Sequence, residues 1–570
     1  MKKNQTKKVQ NKKNNTSKSF IENNSICYLL LGIIVVLYLL IYKQVLNFDL
    51  VDWDDYGYIK TNPDIQHLGN INKFFSLFYM GNYHPLTILS WAIDYNWWQL
   101  NGHGYHLTNL MLHAFNIVLV FIFIKKLLNK NDISLFVSLL FAIHPMHAES
   151  IAWISERKDL LYSFFLLIAL INYIDFSNSK KNMSYFLTIL FFTFSLLSKS
   201  AAVIFPLLLL LIDYFKNTSF SLKNNLLKIP FFILSVVFGI IALKSQHTAM
   251  DYNFAPSFPW YERIFIASGG ITFYLISLFY PFRQSPLHPY PIHAFGTLPV
   301  YFYFSFISIL ALIFLIYIFK KQRRFIVFCV GFFLINLLLV IQLIPVGKAI
   351  VAERYTYLSY LGLYILIAYF ILNLNKKYKR YLFFISGIWI LMLAITTFNR
   401  LPIWENSDSL FSDIIKKYPK EESAYYNRGL VKFNIGDMNG AFDDYSKSIL
   451  LKHDNAVAYY NRSLIYLNRQ DYKNVLADLD SALKFMPDHL DAHKNRGIAR
   501  AMFKDYDNSI KDFNYVLNKI PNDQTALLNR GFTFLNMNKP EEACNDFNAA
   551  YRLGNSKAKE MIETQCKKSH

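Results

Sequence analysis

Residues 26–59 read ICYLLLGIIVVLYLLIYKQVLNFDLVDWDDYGYI, and this stretch decides what kind of fold the chain adopts. Ile26 to Leu46 covers about one bilayer thickness, with Lys43 near its end as the only charge. No small-residue cleavage site follows, so an uncleaved first membrane helix is expected rather than a signal peptide. Directly after it stand Asp52, Asp54 and Asp55, interleaved with Trp53, Tyr56 and Tyr58. Carboxylates at the end of a membrane helix are costly unless they are solvated, paired or in use. Adjacent carboxylates repel, which raises the proton affinity of one and suits it to act as a base. A solvated acidic loop cap is the other reading of the same residues.

Toward the N-terminus, MKKNQTKKVQNKKNNTSKSFIENNS lacks the apolar side chains needed to bury surface, so residues 1–25 are expected to be a disordered cytoplasmic tail. Toward the C-terminus, apolar stretches follow at roughly 105–124, 133–146, 159–176, 183–198, 200–215, 228–245, 264–281, 300–319, 324–345, 355–373 and 380–398. With 54% hydrophobic residues, 52 Phe and 39 Tyr in 570, the chain is too apolar for a soluble enzyme. Its net charge of +20 raises the question of nucleic acid. From Trp404 onward, however, 24 Lys/Arg face 23 Asp/Glu. The excess therefore lies on the N-terminal tail and the short loops, where it sets membrane orientation, and no nucleic-acid partner is expected. Lys125/Lys126/Lys130, Lys180/Lys181, Lys216/Lys223/Lys228, Lys320/Lys321/Arg323/Arg324 and Lys376/Lys377/Lys379/Arg380 fall in alternate loops if the N-terminus is inside. Segment 264–281 breaks the alternation. Taking it as non-spanning leaves eleven crossings over residues 26–400 and an exported part at 404–570.

That last part repeats. Asn427-Arg428-Gly429, Asn461-Arg462-Ser463, Asn495-Arg496-Gly497 and Asn529-Arg530-Gly531 recur every 34 residues, the tetratricopeptide period. The small third residue lets the first helix of each pair pack closely on the second. Tyr425 and Tyr459 fill the large aromatic position, Ala441 and Ala543 the small one, and Tyr445, Phe513 and Phe547 the second aromatic; Pro487 and Pro521 stop second helices. A tetratricopeptide α-solenoid is expected, closed by a capping helix after Gly554. Cys27 and Cys329 fall in apolar stretches as packing residues, while Cys544 and Cys566 are open to pairing if exported or to remaining as two thiols.

Candidate chemistry clusters between the apolar stretches. Tyr83-His84-Pro85-Leu86, with Trp91, Trp97 and Trp98 following, fits a helix lying in the interface. His106 lies in Gly104-Tyr105-His106-Leu107-Thr108-Asn109, and His144 and His147 in His144-Pro145-Met146-His147-Ala148-Glu149. Pro145 disrupts the i,i+3 placement a metal pair would need, so hydrogen-bonded structural histidines are expected there and metal dependence stays open. Basic residues against the positive-inside bias are few: Arg157, Lys158, Lys199, Arg263, Arg283, Lys348 and Arg354. They suggest an anionic ligand such as a lipid phosphate, with pairing to Glu149, Glu156 or Glu353 as the alternative. Arg354 is expected to pair locally with Glu353. Phosphate-binding glycine loops and a G-x-S-x-G elbow are missing from the sequence.

Taken in order, Trp53-Asp54-Asp55, His84-Pro85-Leu86-Thr87, Gly104 to Asn109, His144 to Glu149, Arg157-Lys158-Asp159-Leu160-Leu161, Ala352-Glu353-Arg354-Tyr355-Thr356-Tyr357-Leu358 and the terminal repeats resemble the transmembrane and tetratricopeptide-repeat (TMTC) proteins and their bacterial relatives, of the GT-C glycosyltransferase class. The resemblance implies an all-α, polytopic GT-C-type bundle of about eleven crossings followed by the solenoid. It implies a polyprenyl-phosphate sugar as donor, no other certain cofactor, and an active site facing away from the cytoplasm. Asp54 or Asp55 would be the base; Arg157, Lys158, Lys199 and Arg354 would bind the donor phosphate. His84, His106, His144, His147, Glu149, Glu353 and Tyr357 would serve the acceptor or support the site. Lys199 stands where the family has a Lys-Glu pair, but Ser200 replaces the Glu. The expected activity is transfer of a sugar, with inversion, to Ser or Thr of an exported protein held by the repeats, in a bacterial inner membrane. A non-catalytic repeat scaffold and a lipid-linked glycan transporter or polymerase are the competing readings.

Overall fold

The computed structural model describes residues 23–218, 222–247, 258–291, 297–344, 347, 349–373 and 376–566. The expected tail at 1–25 therefore lies almost wholly outside the described residues, as does Lys348. The chain divides into two compact units, Met1–Leu410 and Phe411–His570.

The first unit is helical and carries α1 (Asn24–Tyr42), α2 (Pro85–Trp98), α3 (Gly102–Leu128), α4 (Asn131–Ile143), α5 (Arg157–Ser179), α6 (Asn182–Ser198), α7 (Phe205–Lys216), α8 (Ile229–His247), α9 (Trp260–Phe279), α10 (Phe306–Ile318), α11 (Arg323–Leu337), α12 (Thr356–Asn373) and α13 (Lys376–Arg400). Local chemistry fixes their ends. Asn23 and Asn101 cap α1 and α3 by accepting from the amides of Ser25 and His103. Asn129, Lys180 and Asn217 close α3, α5 and α7 in the left-handed conformation. At Gly362 a Cβ would stand 2.2 Å from the Cys329 carbonyl oxygen, so α11 and α12 approach closely only because that residue is glycine.

Among the described residues eight helical stretches are long and apolar enough to cross a membrane, or nine if the bent pair Asn131–Ile143 and Pro145–Ala152 counts as one. This is an integral membrane protein. The difference from the eleven expected has a simple origin: α6, α7 and α11 are only 17, 12 and 15 residues long. Conversely, α9, expected not to span, has 20 residues and passes the length and hydropathy test. Its packing is informative. Ser268 meets Ser305 at 2.6 Å and Thr272 meets Ser308 at 2.9 Å, so α9 runs parallel to the following segment, and the chain must double back between them.

One end of the first unit is tied by lysines: Lys125 to Asn24 at 3.0 Å, Lys126 to Asp175 at 2.6 Å and Lys228 to Asp213 at 2.6 Å. Segments 49–60, 144–156, 198–200 and 352–356 gather at the other end.

The second unit pairs Glu422–Asn434 with Met438–Leu451, Ala456–Asn468 with Tyr472–Phe485, Leu490–Met502 with Tyr506–Lys519, and Gln524–Asn536 with Pro540–Arg552. Close packing is tightest at the third residue of each motif. A Cβ on Gly429, Gly497 or Gly531 would stand 2.8, 2.9 or 2.6 Å from Tyr445, Phe513 or Phe547. In the second repeat, where Ser463 replaces glycine, the facing position holds Leu479 instead of a ring. The arginine of each motif forks onto an aspartate 16 residues on: Arg428–Asp444, Arg462–Asp478, Arg496–Asp512 and Arg530–Asp546, each at 2.7 Å. After Gly554, helix Ser556–Met561 and the turn to Cys566 are tied back by a Cys544–Cys566 disulfide. Cys27 and Cys329 are buried free thiols.

Candidate active site

Four short connections build the site. They are the loop after α1, the 3₁₀ turn Ile154–Glu156 leading into α5, the extended Lys199 between α6 and α7, and the turn Glu353–Tyr355 before α12. Lys158 lies 3.5 Å from Asp54 and 3.3 Å from Glu156. Lys199 lies 2.5 Å from Asp159 and 3.6 Å from Glu156. Arg354 reaches Glu156 at 3.4 Å, bonds the Glu149 carboxylate through its guanidinium, and donates its amide to the same carboxylate at 3.0 Å. The result is one alternating network of three cations and four carboxylates. Aromatic faces back it: Lys158 lies 5.5 Å from the Tyr58 ring centroid and 5.8 Å from that of Trp153, and Arg354 5.6 Å from that of Trp153. The carboxylates serving Lys199 are Asp159 and Glu156, in place of the one missing at Ser200.

The two adjacent aspartates have opposite surroundings. Asp55 is 1% exposed. One oxygen accepts from the amide and hydroxyl of Ser155 and the other from the Val51 amide at 3.1 Å. Burial pushes its carboxyl up to about 7, against the opposing pull of those hydrogen bonds. Asp55 thus fastens the loop to the Ser155 turn. Asp54, whose side chain is 28% exposed, lies 3.5 Å from Lys158, its one ion-pair contact among the described residues, and is the most exposed carboxylate of the network.

Arg157 and Lys158 part ways because successive helical residues point about 100° apart. Lys158 faces the network. Arg157 is fully buried, pairs with Asp94 at 2.6 Å, and donates to Asn109 at 2.8 Å, the Tyr105 carbonyl at 2.8 Å and the Ser90 carbonyl at 3.2 Å. Four of its five N–H donors are engaged by protein groups and the side chain is fully buried, so it joins α2, α3 and α5, a set of protein contacts where sequence led one to expect a phosphate contact.

The other candidates are structural in their contacts. His84 is buried edge-on against Tyr58 at 5.2 Å; burial, reinforced by Lys158 and Lys199, pushes it down to about 3 and keeps it neutral. His106 is buried beside Phe48. His144 contacts the Leu278 carbonyl at 3.0 Å and His147 the Phe141 carbonyl at 2.9 Å. Tyr357 takes His113 at 2.6 Å and Asn116 at 3.0 Å. The expected local pair Arg354–Glu353 does not form: Glu353 holds Arg400 at 3.1 Å, because the two side chains leave the turn in different directions. Among the described residues no three His, Cys, Asp or Glu side chains are grouped to hold a metal ion.

Sequence reasoning named Glu156 only as one possible partner, quoted Asp159 and Asn109 within motifs without giving them a role, and passed over Asp94, His113 and Asn116. Charged residues inside apolar helices were the available signal for Asp94 and Asp159; neutral Asn109 and Asn116 gave none.

No family model matches the chain. It is 25% identical over 453 residues to the protein O-mannosyl-transferase F38B6.6 of Caenorhabditis elegans, a match covering 73% of this chain and 61% of that protein. The chain is homologous to the TMTC protein O-mannosyltransferases. TMTC3 of Homo sapiens is 32% identical over 131 residues, 21% of this chain and 14% of that protein, and TMTC2 of Mus musculus 35% identical over 147 residues, 24% and 17%. The chain thus spans about three fifths of the worm relative and a smaller share of the others. Among solved structures, YrrB, described as a TPR protein with an unusual peptide-binding site, is 19% identical over 28% of this chain and 82% of its own, at a TM-score of 0.26. MamA is 20% identical over 27% and 90%, at 0.25.

Proposed function

We propose that this protein is an inverting, GT-C-type membrane glycosyltransferase that moves a sugar from a polyprenyl phosphate to a Ser or Thr hydroxyl of an exported protein. The observation that carries the reading is the partly exposed Asp54 carboxylate set 3.5 Å from Lys158, within a network that also holds Lys199 and Arg354. In the reaction Asp54 takes the acceptor proton as the hydroxyl oxygen attacks the anomeric carbon. The bond from that carbon to the phosphate oxygen breaks on the opposite face, and its electron pair leaves on polyprenyl phosphate. Lys158, Lys199 and Arg354 oppose the charge gathering there, in a poorly hydrated site where such interactions are strong. Arg157 takes no part. Homology to protein O-mannosyltransferases favours mannose as the sugar and protein as the acceptor, with the repeats holding that protein.

The eleven-crossing topology belongs to the same proposal. With the chain doubling back after α9, so that α9 and its return add no net pass, α1, α3 to α8 and α10 to α13 make an odd number of passes, and the repeats and the N-terminal tail lie on opposite sides of a bacterial cytoplasmic membrane. The Cys544–Cys566 disulfide supports the exported side, because such bonds persist where the surroundings are oxidising. The test is transfer of labelled mannose from polyprenyl-phosphate mannose by membranes carrying wild-type protein or Asp54→Asn. Loss with the variant at normal protein levels is expected; equal transfer overturns the reading.

A further inference from the structure

The cation cluster contains one carboxylate shared by all three cations. Glu156, 1% exposed, lies 3.3 Å from Lys158, 3.4 Å from Arg354 and 3.6 Å from Lys199. Two of those cations have tighter partners elsewhere, Lys199 in Asp159 at 2.5 Å and Arg354 in Glu149. A carboxylate taken out of water needs opposing charge, and here three cations supply it. The relation also runs the other way. Without Glu156 the three cations would converge on one point with one carboxylate each, Asp54, Asp159 and Glu149, and no shared negative charge between them. As built, Lys158, Lys199 and Arg354 face Asp54, Glu149, Glu156 and Asp159, so the cluster carries a formal excess of one negative charge.

For the transferase proposed above, on which this inference rests, the cations must oppose the charge that grows on the phosphate and must then let polyprenyl phosphate go. Interactions that hold product as firmly as the transition state slow turnover. We infer that Glu156 is a built-in competitor for the donor phosphate. It is a positioning residue that keeps the three cations together in the empty site and, by sharing their charge, weakens their hold on the departing phosphate. Its burial at the foot of the Ile154–Glu156 turn keeps it from being drawn out with the product.

The experiment uses full-length protein in nanodiscs, with labelled polyprenyl-phosphate mannose as donor probe and polyprenyl phosphate as product probe. The variants are Glu156→Gln, Glu156→Asp and Lys158→Met. Glu156→Gln is expected to hold polyprenyl phosphate at least about tenfold more tightly, a modest effect for removing one charge within 4 Å of three others. Its multiple-turnover transfer falls more than its single-turnover transfer, through product inhibition. Lys158→Met loses the product. A merely structural Glu156 would instead give weaker binding and earlier thermal unfolding together. Unchanged or weaker product binding in Glu156→Gln, with wild type binding both probes, overturns this inference alone. Wild type binding neither probe overturns the transferase reading and this inference with it. If Glu156→Gln aggregates, Glu156→Asp decides: the shorter side chain draws the charge back, so tighter product binding supports the inference and equal or weaker binding overturns it.

Discussion

The two units of this protein use the same interaction, an arginine or lysine against a carboxylate, for different ends. In the repeats it recurs with one geometry: Arg428, Arg462, Arg496 and Arg530 each fork onto an aspartate 16 residues later, at 2.7 Å every time. Every pair is local, so each is a consequence of one helical hairpin. In the membrane unit Asp54, Glu149, Glu156, Asp159, Lys158, Lys199 and Arg354 come from positions up to 300 residues apart, and their distances run from 2.5 to 3.6 Å with one still shorter contact. Repetition yields saturated pairs that stabilise. Convergence leaves Lys158 with no ion-pair partner closer than 3.3 Å among the described residues and Asp54 as the most exposed carboxylate of the network, an arrangement open to an incoming ligand.

The contrast breaks most sharply at Asp54. Asp54→Asn should lower sugar transfer by about 10²–10⁴-fold, the range for loss of a general base, without lowering the amount of folded protein. Transfer assays beside gel filtration of the purified protein check both halves. Next in size is Arg157→Met, which strands Asp94 in a buried site. It should destabilise the membrane unit by about 3–5 kcal/mol and be seen as lost folded protein, whereas Lys158→Met, one residue on, should fold normally and lose donor binding. Thermal unfolding in detergent separates them; equal stability of the two variants would mean that Arg157 is not the buried strut described above.

In the repeats the expected effects are smaller. Gly531→Ala drives a methyl group into Phe547 and should cost about 1–3 kcal/mol. Adding Phe547→Leu should recover part of that loss, since the second repeat already pairs Ser463 with Leu479. Hydrogen exchange of helices Gln524–Asn536 and Pro540–Arg552 reports both changes, and a double variant no better than the single one would dismiss the compensation. The last signal is a pH slope, read unit by unit. Burial raises Asp55 from 3.8 to about 7, so between these values the folded chain binds the proton more than the unfolded chain does. Its contribution to stability therefore falls as pH rises from about 4 to about 7, by at most about 1.4 kcal/mol per pH unit. Melting temperatures across that window should decline less steeply in Asp55→Asn than in wild type.

Sequence by itself determined the elements whose physics is local. A run such as Ile26–Leu46 must be a helix in lipid, because backbone groups there have no water to bond. A 34-residue period with glycine facing an aromatic ring, as at Gly429 and Tyr445, must be a stack of helical hairpins, because each unit buries its apolar face only against its neighbours. The unusual placement of carboxylates at Asp54 and Asp55 was legible too, from the cost of putting charge at the end of a membrane helix. Tertiary structure alone decided what each residue contacts. It separated Asp54 from Asp55 by bringing Ser155 onto one of them. It turned Arg157 inward and Lys158 outward, gave Arg354 to Glu149 and Glu156 while Glu353 took Arg400, and set α9 parallel to its successor. The physical reason is common to the first three: the energy of a charge depends on which groups surround it within a few ångströms, and in a bundle of long helices those groups come from parts of the chain that no local pattern connects.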